Sequence, residues 1–292
     1  MITFLELGKH GRLGNQLFQY AALKGIALRN NYECKIPDPK QMMWHGQQCL
    51  LDQFNIESEY LTDEDLVTLK HQAVEPDPWG YYKGFLDIPD HTNIHGFFQS
   101  VNYFQGHEKQ ICKELTPKAE HMEFAKKYIA NLKKDGHQIV SLHLRRGDNT
   151  DGSKSDEKYL HFYGKSDIFD TESIYGRYLS EAIKFFENKK VKYLVFTGGS
   201  RDNDDSKDIN WAKNNFKKDN FVVSETADPM QDLSLIISCD HNITCHMTSF
   251  GWWGAYLNPN PQKIVTAPKD YFYDMPADYV REGHFPQDWR LV

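Results

Sequence analysis

The second half of the chain alternates between runs rich in β-branched residues and segments with helical spacing. Four of the runs predict strands, at 138–144, 191–197, 221–224 and 263–267. Four other segments predict helices, at 171–188, 208–217, 229–238 and 249–257. Strands separated by helices imply a parallel sheet with helices on both faces. Since ligands bind outside the carboxyl ends of the strands in such sheets, we expect the functional residues there.

The first half of the chain has a different character. A short strand at 2–8 leads into an apolar segment with helical spacing, GNQLFQYAALKGIAL. Residues 37–92 are rich in proline and aromatic residues, which predicts loops, and a buried strand (NIHGFFQS) and a helical region at 102–134 follow. The polar stretch KDGHQ predicts a boundary. We therefore expect domains at 1–136 and 137–292, with the last residues packing back on the first domain.

Composition narrows the class of protein. Hydrophobic residues make up 40% and aromatic residues 14% of 292 residues, enough to build the cores of two domains. The net charge of −7 is spread without a basic face, which argues against nucleic-acid binding as the main role. No run reaches the roughly 20 apolar residues of a membrane span, and no signal peptide is evident. The five cysteines form no CxxC pair, so we expect reduced thiols in a cytoplasmic protein. The missing membrane anchor favours a bacterial or viral origin.

An apolar strand that ends in charged residues is the first candidate site. The segment SLHLRRGDN at 141–149 places His143 and Arg145 on one face of the strand and Arg146 on the other. A planar guanidinium at the carboxyl end of a strand suits a two-point grip on phosphate oxygens. Asp148 could orient an arginine or accept a proton. A salt-bridge cluster on a surface loop is the alternative interpretation.

The glycine-rich segment at 8–21 is the second candidate site. Gly11 and Gly14 permit positive φ and let a ligand approach the backbone. The segment leads into a helix whose first amides would face that ligand, and Arg12 and Asn15 lie at its mouth. The glycine spacing fits neither the dinucleotide fingerprint nor a P-loop. A glycine-rich turn without a ligand is the alternative.

A third candidate site combines hydroxyl groups with the start of a helix. The stretch at 228–258 predicts a helix, a strand that ends at Thr248 and Ser249, and an aromatic helix that begins there. Hydroxyls and free amides at a helix N-terminus form an anion site without a metal. The alternative is an N-cap above core aromatic residues. For Trp252 and Trp253, packing is the expected role.

Together these segments resemble the α-1,2-fucosyltransferases, glycosyltransferase family 11. The motifs GRLGNQLFQYA, HLRRGD and TSFGWWGAYLN stand in that family's order, and IHGFFQSVNYF resembles its segment before the central helices. The resemblance spans Gly11 to Asn258. It implies an α/β, GT-B-like fold of two Rossmann-like domains whose parallel sheets face a cleft. It also implies an inverting, metal-independent transfer of L-fucose, without a cofactor, from GDP-β-L-fucose to a glycan acceptor, expected at the 2-OH of a galactoside.

The resemblance also implies roles for individual residues. Arg145 would bind the β-phosphate and help GDP to leave, His143 would contact the nucleotide, and Asp232 would pair with the guanine edge. Two other segments would supply further donor contacts: Thr248, Ser249 and Phe250 along the phosphates and guanine, and Arg12, Gly14 and Asn15 near the fucose and its diphosphate. Asp148 is the expected base for the acceptor hydroxyl, with Asp151 as a weaker candidate.

Two segments depart from the family pattern. The strand YLVFT runs into GGSRDNDDSKDINW, with glycines where the family usually carries paired acids, and CHMT replaces small polar residues before the last motif. Both departures suggest a divergent member of the family with an unusual acceptor. The altered loop at 197–205 leaves open a different nucleotide sugar, and the missing paired acids leave open a non-catalytic glycan-binding protein on the same fold. The D-x-D at 202–204 matches a metal motif by chance in an acidic run. A set of cysteines and histidines is too compressed in sequence for zinc: Cys239, His241, Cys245 and His246.

Overall fold

A computed structural model describes most of the chain, namely residues 1–77, 80–147, 168–169, 173–199, 204–226, 228–270 and 282–292. The chain divides into two compact units. One comprises Met1–Lys118 with Arg281–Gln287, and the other comprises Ala119–Val280 with Asp288–Val292. Across the described ranges, no helix has both the length and the apolar character needed to cross a bilayer.

The first unit is built on short parallel strands. Its strands are β1 (Ile2–Thr3), β2 (Lys35–Ile36), β3 (Met43–Trp44), β4 (Gln47–Gln48), β5 (Glu59–Tyr60), β6 (His71–Val74) and β7 (Thr92–His95), and its helices are α1 (Leu13–Asn30), α2 (Asp63–Thr68) and α3 (Glu108–Glu114). β7 pairs in parallel with β1 and β6, β2 pairs in parallel with β5, and β3 and β4 form an antiparallel hairpin. A parallel bridge between Ile2 and Cys34 sets β2 beside β1. The carboxyl ends of these parallel strands therefore lie at one edge.

Helix α1 forms the core of the first unit. It is apolar on nearly all of its faces, which is typical of a buried helix, and Leu17, Phe18 and Tyr20 have no exposed surface. The helix ends where Asn31 adopts the left-handed conformation, with a φ of 55°. Gly25 lets another segment come close, because a Cβ there would lie 2.5 Å from the Cα of Phe104.

The second unit contains a larger parallel sheet. Its strands are β8 (Gln138–Arg145), β9 (Val191–Gly198), β10 (Phe221–Val223), β11 (His241–Ile243), β12 (Val265–Ala267) and β13 (Arg290–Leu291), and its described helices are α4 (Ala119–Leu132), α5 (Ile174–Lys184), α6 (Ser206–Asn215), α7 (Pro229–Ser238) and α8 (Ser249–Leu257). The strands pair in parallel in the order β10-β9-β8-β11-β12-β13. This is the doubly wound order of a Rossmann fold.

The position of β8 explains where a ligand site is expected. It is the first strand of the sheet in sequence, and its neighbours are the second strand, β9, and the fourth, β11. The connection after β8 leads to β9 on one side, and the connection after β10 crosses to β11 on the other side. At such a reversal, doubly wound sheets bind nucleotides in a crevice outside the carboxyl ends of the strands, here β8 and β11.

Two hydrophobic cores cover the two faces of this sheet. Val140 and Leu142 of β8 pack in a core with Leu179 of α5. Ile139 belongs to the other core, which also contains Ala125 of α4 and residues of α7. Because α4 packs on α7 in this way, the boundary between the two units precedes α4 instead of falling at residues 136–137.

Three segments differ from the sequence prediction. The strand expected at 2–8 is limited to Ile2–Thr3. The helical region expected at 102–134 is divided into α3 and α4, with Pro117 between them. Proline has no amide hydrogen with which to continue a helix. Helix α2 forms within the region expected to be loops, and a capping box between Thr62 and Asp65 starts it.

The aromatic residues of α8 are core residues, as predicted. Trp252 and Trp253 have no exposed surface. The ring of Tyr256 stacks on Trp252 with centroids 4.8 Å apart, and Trp289 packs on the same indole at 5.4 Å. The aromatic side chains therefore anchor α8, and the start of the helix is left as the part that can face a ligand.

Close packing of α8 on α7 gives a testable prediction. A Cβ added to Gly254 would lie 2.3 Å from Cγ2 of Ile236. We expect Gly254→Ala to lower the free energy of unfolding by about 1–3 kcal/mol through overpacking, measured by urea denaturation. Gly84→Ala is the matched control, because nothing lies within 4 Å of a Cβ at Gly84. Equal losses in the two variants would contradict the packing argument.

Candidate functional site

Arg145 lies at the crevice between β8 and β11, as the last residue of β8. Its backbone N–H donates to Sγ of Cys245, just after β11, at 3.2 Å. Its Nη1 donates to the carbonyl oxygens of Gly198 and Gly199, at the end of β9, at 3.3 and 3.4 Å. Backbone and side chain are thus fixed from opposite sides of the strand. The fold holds a cation at the edge where doubly wound sheets generally bind nucleotides.

His143 lies two residues earlier on β8 and is nearly buried, with 8% of its surface exposed. Its Nδ1 lies 3.5 Å from Sγ of Cys245, and its ring is 5.6 Å from that of Phe250. Burial, reinforced by the charge of Arg145, lowers the pKa of His143 to about 3. The imidazole is therefore neutral at physiological pH, and Arg145 supplies the positive charge at this strand end.

The start of helix α8 adjoins His143. A Cβ at Gly251 would lie 2.8 Å from Nδ1 of His143, so the close approach requires glycine. Thr248 is the N-cap residue, but its side chain makes no capping hydrogen bond, and the first turn, which begins with Ser249, contains no acidic residue. A helix start of this kind favours an anion.

Arg146 has a different environment from Arg145. Its Nε donates to Oδ1 of Asp208 at 3.1 Å, and its guanidinium lies 3.7 Å from the centre of the Trp211 ring. The amide of Gly147 donates to the other oxygen of Asp208 at 2.7 Å. Arg146 therefore fastens α6 to the end of β8 through an ion pair and a cation–π contact. The salt-bridge interpretation of the motif fits Arg146.

The glycines that follow β9 make room for a carboxylate. Gly198 and Gly199 have φ values of 133° and 89°. A Cβ at Gly198 would lie 2.4 Å from Oδ2 of Asp205, and the amide of Gly199 donates to Oδ1 of Asp205 at 2.8 Å. The carboxylate of Asp205 thus lies at the end of β9, where the family pattern places paired acids directly after the strand. The sequence alone does not predict that Asp205 lies there.

Asp232 lies in the first turn of α7 with hydroxyl partners. Its Oδ1 accepts hydrogen bonds from Ser224 Oγ, at 2.9 Å, and from the hydroxyl of Thr226. Burial raises the pKa of Asp232 to about 7, with smaller contributions from the charges of Asp205 and Asp228, and the two hydroxyls oppose the shift. Near neutral pH the carboxyl group therefore exists in both protonation states.

The glycine-rich loop lies at the carboxyl edge of the first unit. Gly11 has a φ of 95°, and a Cβ there would lie 2.4 Å from Nδ2 of Asn15. Oδ1 of Asn15 accepts from Nε2 of Gln99 at 2.9 Å, and Arg12 is the N-cap residue of α1. Gly14 does not adopt the positive φ that glycine permits, because it is a helical residue of α1. Donor contacts by this loop stay a prediction.

Glu75 is a buried residue at the same edge that sequence reasoning missed. Only 7% of its surface is exposed, and its Oε2 accepts from the amides of Phe97 and Phe98 at 2.7 and 3.2 Å. It thereby holds the turn that carries Gln99. Nothing distinguishes Glu75 from other acids in the sequence, because its partners are backbone amides after a different strand.

The expected base and the metal motif fall largely outside the described residues. The structure does not describe Asp148, Asp151 or residues 202 and 203 of the D-x-D. Within the described part of the chain, no group of three or more His, Cys, Asp or Glu side chains is arranged to hold a metal ion. Burial raises the pKa of Cys245 to about 12, so this residue is a neutral thiol.

Sequence comparisons relate the chain to transferases. The model of the family described as Glycosyl transferase family 11 matches residues 3–291. The O-antigen biosynthesis glycosyltransferase WbnK of Escherichia coli is 25% identical, over 90% of this chain and 93% of the relative. The galactoside alpha-(1,2)-fucosyltransferase 2 of Pongo pygmaeus is 26% identical, over 85% and 67%. An alpha-1,2-colitosyltransferase of Escherichia coli is 24% identical, over 90% of each chain.

Solved structures show the fold. The chain matches the crystal structure of POFUT1 in complex with GDP-fucose with a TM-score of 0.51 and 13% identity, over 90% of this chain and 95% of that one. A second POFUT1 structure, in complex with GDP, gives a TM-score of 0.50 and 11% identity over the same shares. These matches confirm the expected GT-B-like α/β fold.

The raised pKa of Asp232 predicts a pH dependence of stability. Because the folded state holds the proton more tightly than the unfolded state, stability is lost as the pH rises from about 4 towards the folded-state pKa of about 7. Between pH 5 and pH 8, the unfolding free energy of the wild type should fall relative to Asp232→Asn, on the order of 2 kcal/mol. Urea denaturation at each pH measures it. Asp219→Asn, at an exposed position, is the control and should follow the wild type.

Proposed function

This chain belongs to glycosyl transferase family 11, and on that premise we propose that it transfers L-fucose from GDP-β-L-fucose to the 2-OH of a galactoside. The observation that carries the proposal is Arg145, whose guanidinium is held at the carboxyl end of β8, in the crevice where doubly wound sheets bind nucleotides. The name of the relative from Pongo pygmaeus, a galactoside alpha-(1,2)-fucosyltransferase, supports the sugar and the linkage.

We assign the donor nucleotide to the second unit. Arg145 would bind the β-phosphate, and the first amides of α8, at Ser249 and Phe250, would face the diphosphate. The guanine edge presents N–H donors, and the carboxylate of Asp232 would accept them through Oδ2, which has no hydrogen bond within the described ranges. GDP binding would then favour the ionised form of Asp232.

The proposed chemistry inverts the anomeric carbon. The acceptor hydroxyl attacks on the face opposite the β-linked diphosphate, the bond from the anomeric carbon to the phosphate oxygen breaks, and an α-linked product results. Arg145 would stabilise the charge that develops on the departing GDP. The neutral imidazole of His143 adds no competing charge and would contact the nucleotide. Asp148 is the proposed base that takes the acceptor proton.

A second donor is favoured by two observations. The alpha-1,2-colitosyltransferase of Escherichia coli is 24% identical over 90% of each chain, and Gly198 and Gly199 replace the family's paired acids. A colitose-bearing nucleotide sugar is therefore the alternative substrate. Competition between donors for the purified enzyme separates the two, and analysis of the product linkage tests the 2-OH assignment. Membership of a transferase family leaves the non-catalytic alternative without support.

Replacement of Arg145 tests the proposal directly. Arg145→Ala should lower kcat/KM for transfer of labelled fucose to galactosides by more than about a hundredfold, or about 3 kcal/mol of barrier. Arg145→Lys should recover only part of this loss, because an ammonium lacks the planar two-point grip. Arg290→Ala, which removes an exposed arginine of the same unit, is the control. Failure of the wild type to bind GDP and to consume GDP-fucose would refute the proposal.

We also propose that transfer needs no divalent metal, because Arg145 and the start of α8 would neutralise the leaving diphosphate. Activity after exhaustive treatment with EDTA should equal that of the untreated enzyme, and added Mg²⁺ or Mn²⁺ should change it by less than about twofold. The rate of transfer from GDP-fucose to a galactoside is the measurement. Loss of activity on chelation that Mn²⁺ restores would contradict this part of the proposal.

A further inference from the structure

A cavity of about 410 Å³ opens in the first unit. Its volume falls within the roughly 300–1,000 Å³ that is typical of ligand pockets. Ile36, Leu51 and Phe54 form an apolar floor, and each is almost fully buried. Tyr60, Asp52 and Lys118 line the cavity with polar groups. A mostly apolar floor with a few polar groups is the composition of a binding site for a small organic ligand.

The cavity lies at the carboxyl edge of the parallel strands. Ile36 and Tyr60 are the last residues of β2 and β5, and they are register partners. The glycine-rich loop follows β1 at this edge. The segment that precedes Leu51 contacts the loop region directly, since a Cβ at Gly8 would lie 2.7 Å from Cβ of Cys49 and the amide of Leu50 donates to Gln16. One short segment therefore separates the cavity from the loop.

The polar groups of the cavity are available to a ligand. Tyr60 is 46% exposed, so a ligand can reach its ring. The carboxylate of Asp52 and the ammonium of Lys118 form no hydrogen bond or ion pair within the part of the chain that the structure describes. Glu59 also lines the cavity, but its carboxylate pairs with Nζ of Lys35 at 3.8 Å. The charges of Asp52 and Lys118 have opposite sign, so they suit a neutral ligand that offers both hydrogen-bond donors and acceptors.

We propose that this cavity binds a sugar residue of the acceptor glycan, at a position removed from the residue that receives fucose. A pyranose presents an apolar C–H face, which the ring of Tyr60 can cover, and hydroxyls, which can donate to Asp52 and accept from Lys118. The site takes a sugar beyond the reacting one because the segment at Cys49 and Leu50 stands between the cavity and the glycine-rich loop. The inference rests on the proposed function, and it assigns the acceptor a minimum length.

A series of acceptors tests this subsite. Transfer from GDP-fucose is measured to methyl β-galactoside and to galactose-terminated oligosaccharides of two to four sugars. In the wild type, KM should fall by about tenfold or more as the acceptor is lengthened, because one hydrogen bond to a charged group strengthens binding by about this factor. Tyr60→Ala and Asp52→Asn should lose that gain, while their KM for methyl β-galactoside and their hydrolysis of GDP-fucose stay at wild-type values.

Two further variants distinguish stacking and folding effects. Tyr60→Phe keeps the ring and should retain most of the gain with length, and Met43→Ala removes a side chain that is 59% exposed and does not line the cavity. A wild-type KM that is independent of acceptor length, or a Tyr60→Ala variant that keeps the length dependence, overturns the subsite. An enzyme that neither binds GDP nor consumes GDP-fucose refutes the donor assignment instead, so the two failures are distinct.

Discussion

The crevice of the second unit depends on one reversal in the order of its parallel strands. β8 has β9 on one side and β11 on the other, so the strand order reverses at β8, and doubly wound sheets bind ligands at the carboxyl ends of the strands beside such a reversal. The end of the strand is held from both sides, by the hydrogen bond from the backbone of Arg145 to Cys245 and by those from its guanidinium to Gly198 and Gly199. The glycines belong to this arrangement because a side chain at Gly198 would collide with Asp205.

Charge at this strand end is concentrated in one group. His143 is kept neutral by burial and by the charge of Arg145, so two cations do not have to share a poorly solvated crevice. Asp232 shows the opposite case, since burial and neighbouring acids favour its neutral form while its hydroxyl partners favour the carboxylate. In the proposed function, GDP would relieve both situations at once, because its diphosphate would meet Arg145 and the N–H donors of its guanine would meet Asp232.

Regular elements were predictable from the sequence, and contacts between distant segments were not. The bounds of α7 and α8 match the apolar spacing, and Asp228 with Pro229 marks the start of α7 by standard capping chemistry. By contrast, the strand expected at 2–8 ends at Thr3, and strands of two residues show no alternation to detect. The motif at 141–149 identified Arg145, but the return of Asp205 to the end of β9 depends on a fold that no local pattern encodes.

The first unit is irregular for a reason that bears on specificity. Its carboxyl edge is held by individual contacts, such as Gly8 against Cys49 and Glu75 with two amides of the turn after β7. Contacts of this kind fix a segment in space but leave its exposed side chains free to vary, as at Tyr60. The proposed acceptor subsite could therefore change without loss of the fold or of the proposed donor site. This is the physical reason why family motifs point to the donor chemistry and do not specify the acceptor.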